Sequence, residues 1–160
     1  MIRYKVYTKE LGVFETTNKA EFVFLTLHRN PKEGPAYMSF YENGNIKSQE
    51  YWYNRKKHRK EGPATIKYYE NGNIKLEVYL INGSLHRKDG PAVINYFEDG
   101  KIESEDWWYD DKRHSLLGPA VINYDKNGNI NHKSYIVNSK QVKEDKFKEL
   151  QFKEKFNILN

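Results

Sequence analysis

Apolar and polar side chains alternate along much of this chain. Ala64, Ile66 and Tyr68 are separated by more polar positions, and a period of two predicts a β-strand with one inward face. Residues 74–81 are rich in β-branched and aromatic side chains and predict a second strand. Asn71-Gly72 lies between them and is a strong signal for a hairpin whose two turn residues both take positive φ.

This strand–turn–strand pattern recurs at a constant interval of 28 residues. Each of four units opens with Gly-Pro-Ala, and each carries an aromatic residue at one equivalent place: Tyr51, Tyr79, Trp107 and Tyr135. Self-similarity at a fixed period is typical of a repeat array, in which each unit buries apolar surface against its neighbours. We therefore predict a mainly β fold, an antiparallel β-meander of four β-hairpin repeats with a C-terminal α-helix.

The pattern divides a single folded domain into three parts. N-terminal capping strands are expected in residues 1–33, at Tyr4–Val13 and Phe22–Leu27. The C-terminal helix is expected in residues 139–160. The four repeats occupy the ranges between these parts, namely 34–61, 62–89, 90–117 and 118–138.

The C-terminal segment is rich in helix-forming residues and has no Gly or Pro. Phe147, Leu150 and Ile158 fall on one helical side, whereas Phe152, Phe156 and Leu159 fall on another. A sheet with two apolar faces needs a cover for one of them. We expect this helix to provide that cover, and binding of a partner is the alternative role.

The packing of each unit can also be predicted in part. The first strand has a regular inner face, formed in unit one by Ala36, Met38 and Phe40, and the small alanine predicts close packing. In the second strand, the alternation of apolar and polar side chains changes phase. Ile46 and Trp52 lie at even-numbered positions, whereas the tyrosines on either side of Trp52 lie at odd-numbered positions. Either a β-bulge shifts the phase, or both faces are partly buried.

Composition narrows the class of protein. The chain has 38% apolar and 15% aromatic residues, enough to fold. It has no cysteine, which excludes disulfides and thiolate chemistry and indicates a reducing compartment, so we expect a cytoplasmic protein. No apolar run suits a signal peptide or a membrane span. No catalytic motif, phosphate loop or metal-ligand spacing occurs, so we expect no enzyme, cofactor or metal site.

A histidine precedes each Gly-Pro sequence, at His28, His58, His86 and His114. A residue present in every unit performs the same structural task more often than a catalytic one. Imidazole nitrogens can fasten a turn by hydrogen bonds to the backbone. Equivalent residues of successive hairpins lie about 9.6 Å apart, which is too far for a shared metal ion. We therefore predict a structural role for this column.

A run of cationic residues beside aromatic ones is typical of a single-stranded nucleic-acid site. The net charge is +3 for residues 34–61, +1 for residues 62–89 and −4 for residues 90–117. A phosphate backbone that followed the array would therefore meet an acidic third unit, and a solvated charged loop is the simpler interpretation. This alternative site comprises Arg55, Lys56, Lys57, Arg59, Lys60, Tyr51 and Tyr53.

The third unit combines aromatic and acidic residues as no other unit does. Aromatic side chains with a charged rim form protein-binding hot spots. The competing interpretation is that Trp108 belongs to the core and the acidic residues face water. The predicted protein-binding site comprises Asp106, Trp107, Trp108, Tyr109, Asp110 and Asp111.

The sequence Tyr-Glu-Asn-Gly-Asn-Ile-Lys at residues 41–47, repeated at 69–75, resembles the MORN-type repeat in the variant found in bacterial antitoxin-like proteins. His86–Ile102 resembles repeats common in phage and giant-virus proteins, and Asn138–Phe147 is similar to the tail that often follows such arrays. The resemblance covers about residues 27–147 and implies hairpin arrays that contact proteins or lipids without catalysis. The period here is longer and Gly-Pro-Ala is added, so lipid binding is not carried over.

These patterns together predict a non-enzymatic protein-interaction module. The resemblance implies a finer hypothesis, a phage or viral inhibitor that binds a host-defence protein such as a nuclease or a nucleoprotein complex in the host cytoplasm. The alternatives are single-stranded nucleic-acid binding through the basic edge and a structural or membrane-surface repeat protein, with the membrane disfavoured. Exposed edge strands also favour self-association.

Overall fold

The computed structural model describes residues 3–8, 12–17 and 29–157. Its main feature in that part of the chain is an antiparallel sheet of 11 strands. At one edge, Tyr4–Thr8 (β1) pairs with Gly12–Thr16 (β2). One continuous strand over Tyr4–Val13 was therefore the wrong prediction. The predicted strand Phe22–Leu27 and His28 lie outside the described residues.

Each unit contributes two strands to the main sheet. Within the four units, strands that follow one another along the chain are neighbours in the sheet, apart from the small hairpins between units, so the predicted antiparallel meander is confirmed. Before the units, β1 pairs with the first strand of unit one, and β2 forms the edge of the sheet. These strands are Tyr37–Phe40 (β3), Ile46–Glu50 (β4), Thr65–Tyr68 (β7), Ile74–Val78 (β8), Val93–Tyr96 (β11), Ile102–Asp106 (β12), Val121–Tyr124 (β15) and Ile130–Val137 (β16).

A second, smaller hairpin follows the main-sheet strands in each of the first three units. Lys140–Val142 (β17) takes the corresponding place in the fourth unit, where it pairs with the end of β16. The small hairpins are Trp52–Tyr53 (β5) with Lys56–Lys57 (β6), Leu80–Ile81 (β9) with Ser84–Leu85 (β10), and Trp108–Tyr109 (β13) with Lys112–Arg113 (β14).

The phase change in the second strand has both of the predicted causes. Ser39 pairs with Ser48 but Phe40 pairs with Ile46, so Lys47 is the extra residue of a β-bulge. The register shifts at the same place in the other three units. Both faces of the second strand are also partly buried, because its adjacent residues Gln49 and Glu50 point to opposite faces and both are half-buried. The strand then ends before Tyr51, where the chain turns into the small hairpin.

The predicted inner face is confirmed at its alanine positions. All four of these alanines are fully buried, namely Ala36, Ala64, Ala92 and Ala120. Two residues further on, Ile66 and Ile94 of the central units are buried, whereas Met38 and Ile122 of the outer units are half-buried. The small side chains therefore mark the tightest packing in every unit.

The long hairpins close with three-residue loops and not with the predicted two-residue turn. The Tyr69 carbonyl accepts a hydrogen bond from Gly72 N–H at 3.0 Å, and Tyr69 N–H donates to the Asn73 carbonyl at 2.8 Å. Gly72 has a φ of 92°, which completes a type I turn followed by a left-handed residue. Turns with two positive φ values close the small hairpins instead, at Asn54-Arg55, Asn82-Gly83, Asp110-Asp111 and Asn138-Ser139.

Side chains at the long-hairpin loops join successive units. The Tyr41 hydroxyl donates to the Tyr68 carbonyl at 2.7 Å, and the Tyr69 hydroxyl donates to the Tyr96 carbonyl at 2.8 Å. Asn45 Nδ2 donates to the Glu70 carbonyl at 2.8 Å, and the next unit repeats this bond. Each bond therefore ties one unit to the following one.

The C-terminal helix spans Glu144–Asn157 (α1), so it begins five residues later than predicted. The turn at Asn138-Ser139 copies the small-hairpin turns, and the next three residues pair with β16 as β17. Phe147 is buried, with its ring centroid 4.7 Å from that of Tyr135. Gln151 Nε2 donates to the Leu116 carbonyl at 2.6 Å. The helix therefore packs against the end of the array and does not cover the sheet as a whole.

The two predicted helical sides differ in burial. Phe147 is buried and Leu150 is half-buried, whereas Phe152 is exposed. Ile158 and Leu159 lie outside the described residues. The described part of the chain contains no helix long and apolar enough to cross a membrane.

Candidate protein-binding surface

The small hairpins stack on one another beside the main sheet. We call this stack, β5–β6, β9–β10, β13–β14 and the turn between β16 and β17, the hairpin row. The turn of each hairpin donates a backbone N–H to the hairpin before it, from Gly83 to the Lys57 carbonyl at 2.8 Å, from Asp111 to Leu85 at 3.0 Å and from Ser139 to Arg113 at 2.9 Å. These bonds fix the spacing of the hairpins along the row.

His58 and His114 fasten turns of the next unit, as predicted. His58 Nδ1 accepts a hydrogen bond from Asn82 N–H at 3.1 Å, and His114 Nδ1 accepts one from Asn138 N–H at 3.2 Å. A ring nitrogen that accepts carries no proton. Burial, opposed in part by Glu154, lowers the pKa of His114 and so favours this neutral form.

His86 makes a different joint with the third unit. Its Nδ1 lies 2.6 Å from Asp110 Oδ1, and its ring centroid lies 4.4 Å from that of Tyr109. An ionised carboxylate only accepts, so this nitrogen of His86 carries the proton. Asp111 Oδ1 accepts a second bond, from Leu85 N–H at 2.7 Å. The joint uses one oxygen of each carboxylate, and the Asp110 side chain remains 69% exposed.

The arginine after His58 or His86 packs inward. The Arg59 guanidinium lies 3.9 Å from the centroid of the Tyr51 ring, and its Nη1 donates to the Pro63 carbonyl at 3.3 Å. Arg87 stacks on Tyr79 at the same distance. Guanidinium stacked on an aromatic face is a stabilising contact. These residues therefore hold the Gly-Pro-Ala segment in place and are not available to stack on nucleobases.

A set of side chains joins each small hairpin to the main sheet. In the first unit, Trp52 Nε1 donates to Glu50 Oε2 at 2.8 Å. Lys57 Nζ donates to the other oxygen, Glu50 Oε1, at 3.0 Å and lies 5.4 Å from the centroid of the Trp52 ring. One carboxylate thus satisfies both donors at the base of the hairpin.

In the third unit, a shorter acidic side chain, Asp106, replaces the glutamate, and Arg113 replaces the lysine. Arg113 donates to both oxygens of Asp106, at 2.8 and 2.7 Å, and lies over the Trp108 ring. Trp108 Nε1 is buried and has no hydrogen-bond partner in the described part of the chain. In the second unit the set is apolar, with Val78, Leu80 and Leu85 at the same positions.

One position of the hairpin row faces outward with an apolar or aromatic side chain in every unit. Tyr53 is 40% exposed and Tyr109 is 48% exposed, while Ile81 and Val137 are half-buried. We call these four residues the outer stripe. Lysine or serine pairs with each of them across the hairpin, at Lys56, Ser84, Lys112 and Lys140. The stripe therefore combines apolar surface with a basic margin.

The structure places the six residues of the predicted protein-binding site in different parts of the third unit. Trp107 occupies the position of the buried Tyr51, and its backbone N–H donates to the Ala120 carbonyl at 2.8 Å. Asp106 and Trp108 support the hairpin base, as described above. Tyr109, Asp110 and Asp111 lie together at the exposed tip. Trp108 and Tyr109 separate because successive residues of a strand point in opposite directions, and Trp107 lies between β12 and β13.

The seven residues of the alternative nucleic-acid site also lie in different environments, some exposed and some packed inward. Arg55, Lys56 and Lys60 are exposed, and Tyr53 belongs to the outer stripe. Lys57 binds Glu50, and Arg59 stacks on Tyr51, which is 7% exposed. The cationic residues therefore do not form one continuous edge.

A cleft of about 820 Å³ opens beside the first unit. Its described lining residues are Asn30, Pro31, Lys32, Tyr53, His58, Arg59, Lys60 and Glu61. Sequence reasoning did not include Lys32. The signal that marks this place is the first linker, Asn30-Pro31-Lys32-Glu33, which is two residues longer than the next. No three histidine or carboxylate side chains in the described ranges form a metal-binding group.

Comparison with known proteins identifies the type of repeat. Residues 36–54 and 64–82 match the family model described as MORN repeat variant. No significant match was found among curated proteins or among solved structures. Repeats of this kind are in general non-catalytic modules that bind proteins or membranes. Parts of the first two units are therefore similar to MORN-type repeats, and the same 28-residue pattern continues through the third and fourth units.

Proposed function

We propose that the array is a non-enzymatic protein-interaction module and that its binding surface is the outer stripe with the adjoining hairpin tips. The observation that carries this proposal is the outer stripe itself. It presents one apolar side chain per unit at a fixed spacing, and two of its members are tyrosines with 40% and 48% of their surface exposed. Tyrosine is enriched in protein-binding hot spots because it combines apolar area with a hydroxyl group.

A comparison between units supports the same proposal. The residue after each histidine donates its N–H to the next unit, from Arg29 to the Trp52 carbonyl, from Arg59 to Leu80, from Arg87 to Trp108 and from Ser115 to Ile136. This backbone bond between units thus stays the same along the array. The tips of the hairpin row differ, since they read Asn-Arg, Asn-Gly, Asp-Asp and Asn-Ser. A rigid frame with variable tips suits a surface that selects a protein partner.

The experiment compares capture of proteins by tagged full-length variants from lysate of the native source, after nuclease treatment. Tyr53→Ser with Tyr109→Ser removes the aromatic members of the outer stripe. Ile130→Ser is the matched control, because Ile130 is also exposed but lies on the main sheet. We expect a retained protein that the control keeps and the stripe variant loses by about tenfold or more. Equal capture by the wild type, the stripe variant and the control would contradict the proposal.

The finer hypothesis, inhibition of a host-defence protein by a phage or viral chain, stays a prediction. It requires that the captured protein lose activity when the array is added in equimolar amount. A captured protein that remains fully active would overturn it. Retention that disappears with nuclease would instead support nucleic-acid binding through Arg55, Lys56 and Lys60.

A further inference from the structure

The first and third hairpins of the hairpin row carry opposite charge. The cleft beside the first unit is lined by Lys32, Lys60 and Arg59, and among its described lining residues Glu61 is the single carboxylate. Two units further on, the tip of the third hairpin consists of Asp110 and Asp111, both exposed. The net charge of +3 in residues 34–61 and −4 in residues 90–117 follows the same division.

The acidic tip has a shape that fits a cleft. Asp110 and Asp111 have φ values of 47° and 58°, so they form a tight two-residue turn that projects two carboxylates from a narrow hairpin. Each carboxylate uses only Oδ1 in its bond to the second unit. A cleft of about 820 Å³ is within the usual range of about 300–1,000 Å³ for binding sites.

The tip cannot enter the cleft of its own chain. The first and third units are separated by four strand spacings, about 19 Å. Backbone bonds between Lys57 and Gly83 and between Leu85 and Asp111 hold the hairpins at this separation. A contact between tip and cleft therefore has to join two molecules.

We propose that the basic cleft of one copy binds the acidic tip, Tyr109-Asp110-Asp111, of a second copy. Lys32 and Lys60 pair with the carboxylates, and the Tyr109 ring packs on Pro31 and Tyr53. Cleft and tip lie on different parts of the chain, so the contact is head to tail. Such a contact leaves a cleft at one end and a tip at the other, and further copies add in a row. This assembly shares Tyr53 and Tyr109 with the proposed binding surface, but its test uses the purified chain alone and so can fail or succeed independently of the proposed function.

The test uses the purified full-length chain in sedimentation velocity at rising concentration. We expect the mean mass to increase without a plateau at the dimer in about 50 mM salt, and to fall to that of the monomer in about 500 mM salt, where screening is strong. A chain that remains monomeric at about 100 μM in low salt would overturn the proposal.

Charge-changed variants then locate the contact. Lys32→Glu with Lys60→Glu makes the cleft acidic. Asp110→Asn with Asp111→Arg gives the third tip the same turn as Asn54-Arg55, which this fold already contains. Each variant alone should associate at least about tenfold more weakly than the wild type. Lys126→Glu with Lys143→Glu makes the same charge change as the cleft variant at exposed positions elsewhere and should leave association unchanged.

Mixing the two variants gives the decisive result. The acidic tip of the first variant fits the basic cleft of the second, and the basic tip of the second fits the acidic cleft of the first. An equimolar mixture should therefore associate although neither variant does so alone. Association that survives in either variant, or that the mixture fails to restore, would overturn the proposal. Binding of an acidic peptide by a chain that stays monomeric would assign the cleft to a different partner and would also overturn it.

Discussion

At the scale of single residues, the four units act as controls for one another. Tyr41 and Tyr69 each donate a hydroxyl hydrogen bond to the next unit, at 2.7 and 2.8 Å. The third unit has Phe97 at this position, which lacks the hydroxyl group. The bond between the third and fourth units is therefore missing, although its acceptor, the Tyr124 carbonyl, corresponds to those used in the earlier units.

Phe97→Tyr should restore this bond. The free energy of unfolding is expected to rise by about 1 kcal/mol, the usual net value of one intramolecular hydrogen bond. Tyr69→Phe is the matched control and should lower it by a similar amount. Urea unfolding followed by circular dichroism measures both free energies. A Phe97→Tyr variant that is no more stable than wild type would show that a hydroxyl group at this position adds no stability.

The tryptophans of the first and third units differ in one hydrogen bond. Glu50 accepts from Trp52 Nε1, whereas both oxygens of the shorter Asp106 are taken by Arg113 and Trp108 Nε1 stays buried without a described partner. Asp106→Glu with Arg113→Lys rebuilds the arrangement of the first unit. We expect this pair of changes to stabilise the fold by about 1 kcal/mol, because a buried donor gains its acceptor.

The measurement is again urea unfolding, with tryptophan fluorescence as the probe of the hairpin base. The reverse exchange, Glu50→Asp with Lys57→Arg, should lower stability by a similar amount. If both exchanges leave stability unchanged, the missing bond at Trp108 is met by water.

At the scale of the element, the small hairpins depend on turns with two positive φ values. Arg55, Asp111 and Ser139 occupy the left-handed region with φ of 61°, 58° and 63°, although only glycine does so without a steric penalty. The second unit has Gly83 at this place, with φ of 90°. Four different sequences thus form the same turn, and Asn82-Gly83 does so with the least backbone strain.

Arg55→Gly should raise the free energy of unfolding by about 0.5–1 kcal/mol, because relief of the left-handed strain exceeds the added freedom of the unfolded chain. Gly83→Ala should lower it by about 1 kcal/mol for the opposite reason. Thermal unfolding of the two variants checks the pair. A loss of stability in Arg55→Gly would mean that the arginine side chain stabilises the turn by more than its strain.

Much of the element pattern was visible in the sequence, because the repeat displays it four times. The 28-residue period, the strand alternation and the aromatic column identified the meander and the fastening role of His58 and His114. The class of the Asn-Gly turn was not predictable from Asn71-Gly72, since a three-residue loop uses the same glycine with one positive φ. The strand at Lys140–Val142 was missed because its residues favour a helix, while the preceding turn pairs them with β16.

The candidate site was less visible in the sequence than the fold. Trp107, Trp108 and Tyr109 are consecutive, and the sequence alone did not show that the strand ends before Trp107 and that these side chains lie in different places. Arg59 and Tyr51 looked like part of a basic edge, because stacking between residues eight positions apart leaves no periodic signal. The cleft depends on contact between two linkers, which only the folded chain brings together.

At the scale of the whole molecule, tyrosine hydroxyls form a second set of bonds across the sheet. Tyr68 donates to Gln49, Tyr96 to Glu77 and Tyr124 to Glu105, each at 2.9 Å. Burial, with a further contribution from the bond to Glu105, raises the pKa of Tyr124 to about 12. Burial and the bond to Glu77 raise the pKa of Tyr96 as well.

Alkaline pH should therefore weaken the fold as a whole. A tyrosine whose pKa is higher in the folded state contributes stability that is complete below its ordinary value of about 10. That contribution falls as pH rises from about 10 to about 12, because the unfolded chain releases the proton first. Urea midpoints measured across this range should decline, and Tyr124→Phe should make the decline less steep. An unchanged slope would show that Tyr124 ionises without affecting the sheet.

The joints between units have a consequence for the gene. Tyr41 bonds to the Tyr68 carbonyl and Tyr69 bonds to the Tyr96 carbonyl, so the same joint recurs 28 residues further along the chain. Duplication of 84 nucleotides anywhere within the array therefore adds one complete hairpin pair in frame and recreates the joints that the copied residues make. Each such event lengthens the sheet by about 10 Å, two strand spacings. The length of the sheet can thus change in uniform steps by gene duplication alone, without any substitution at the hairpin tips.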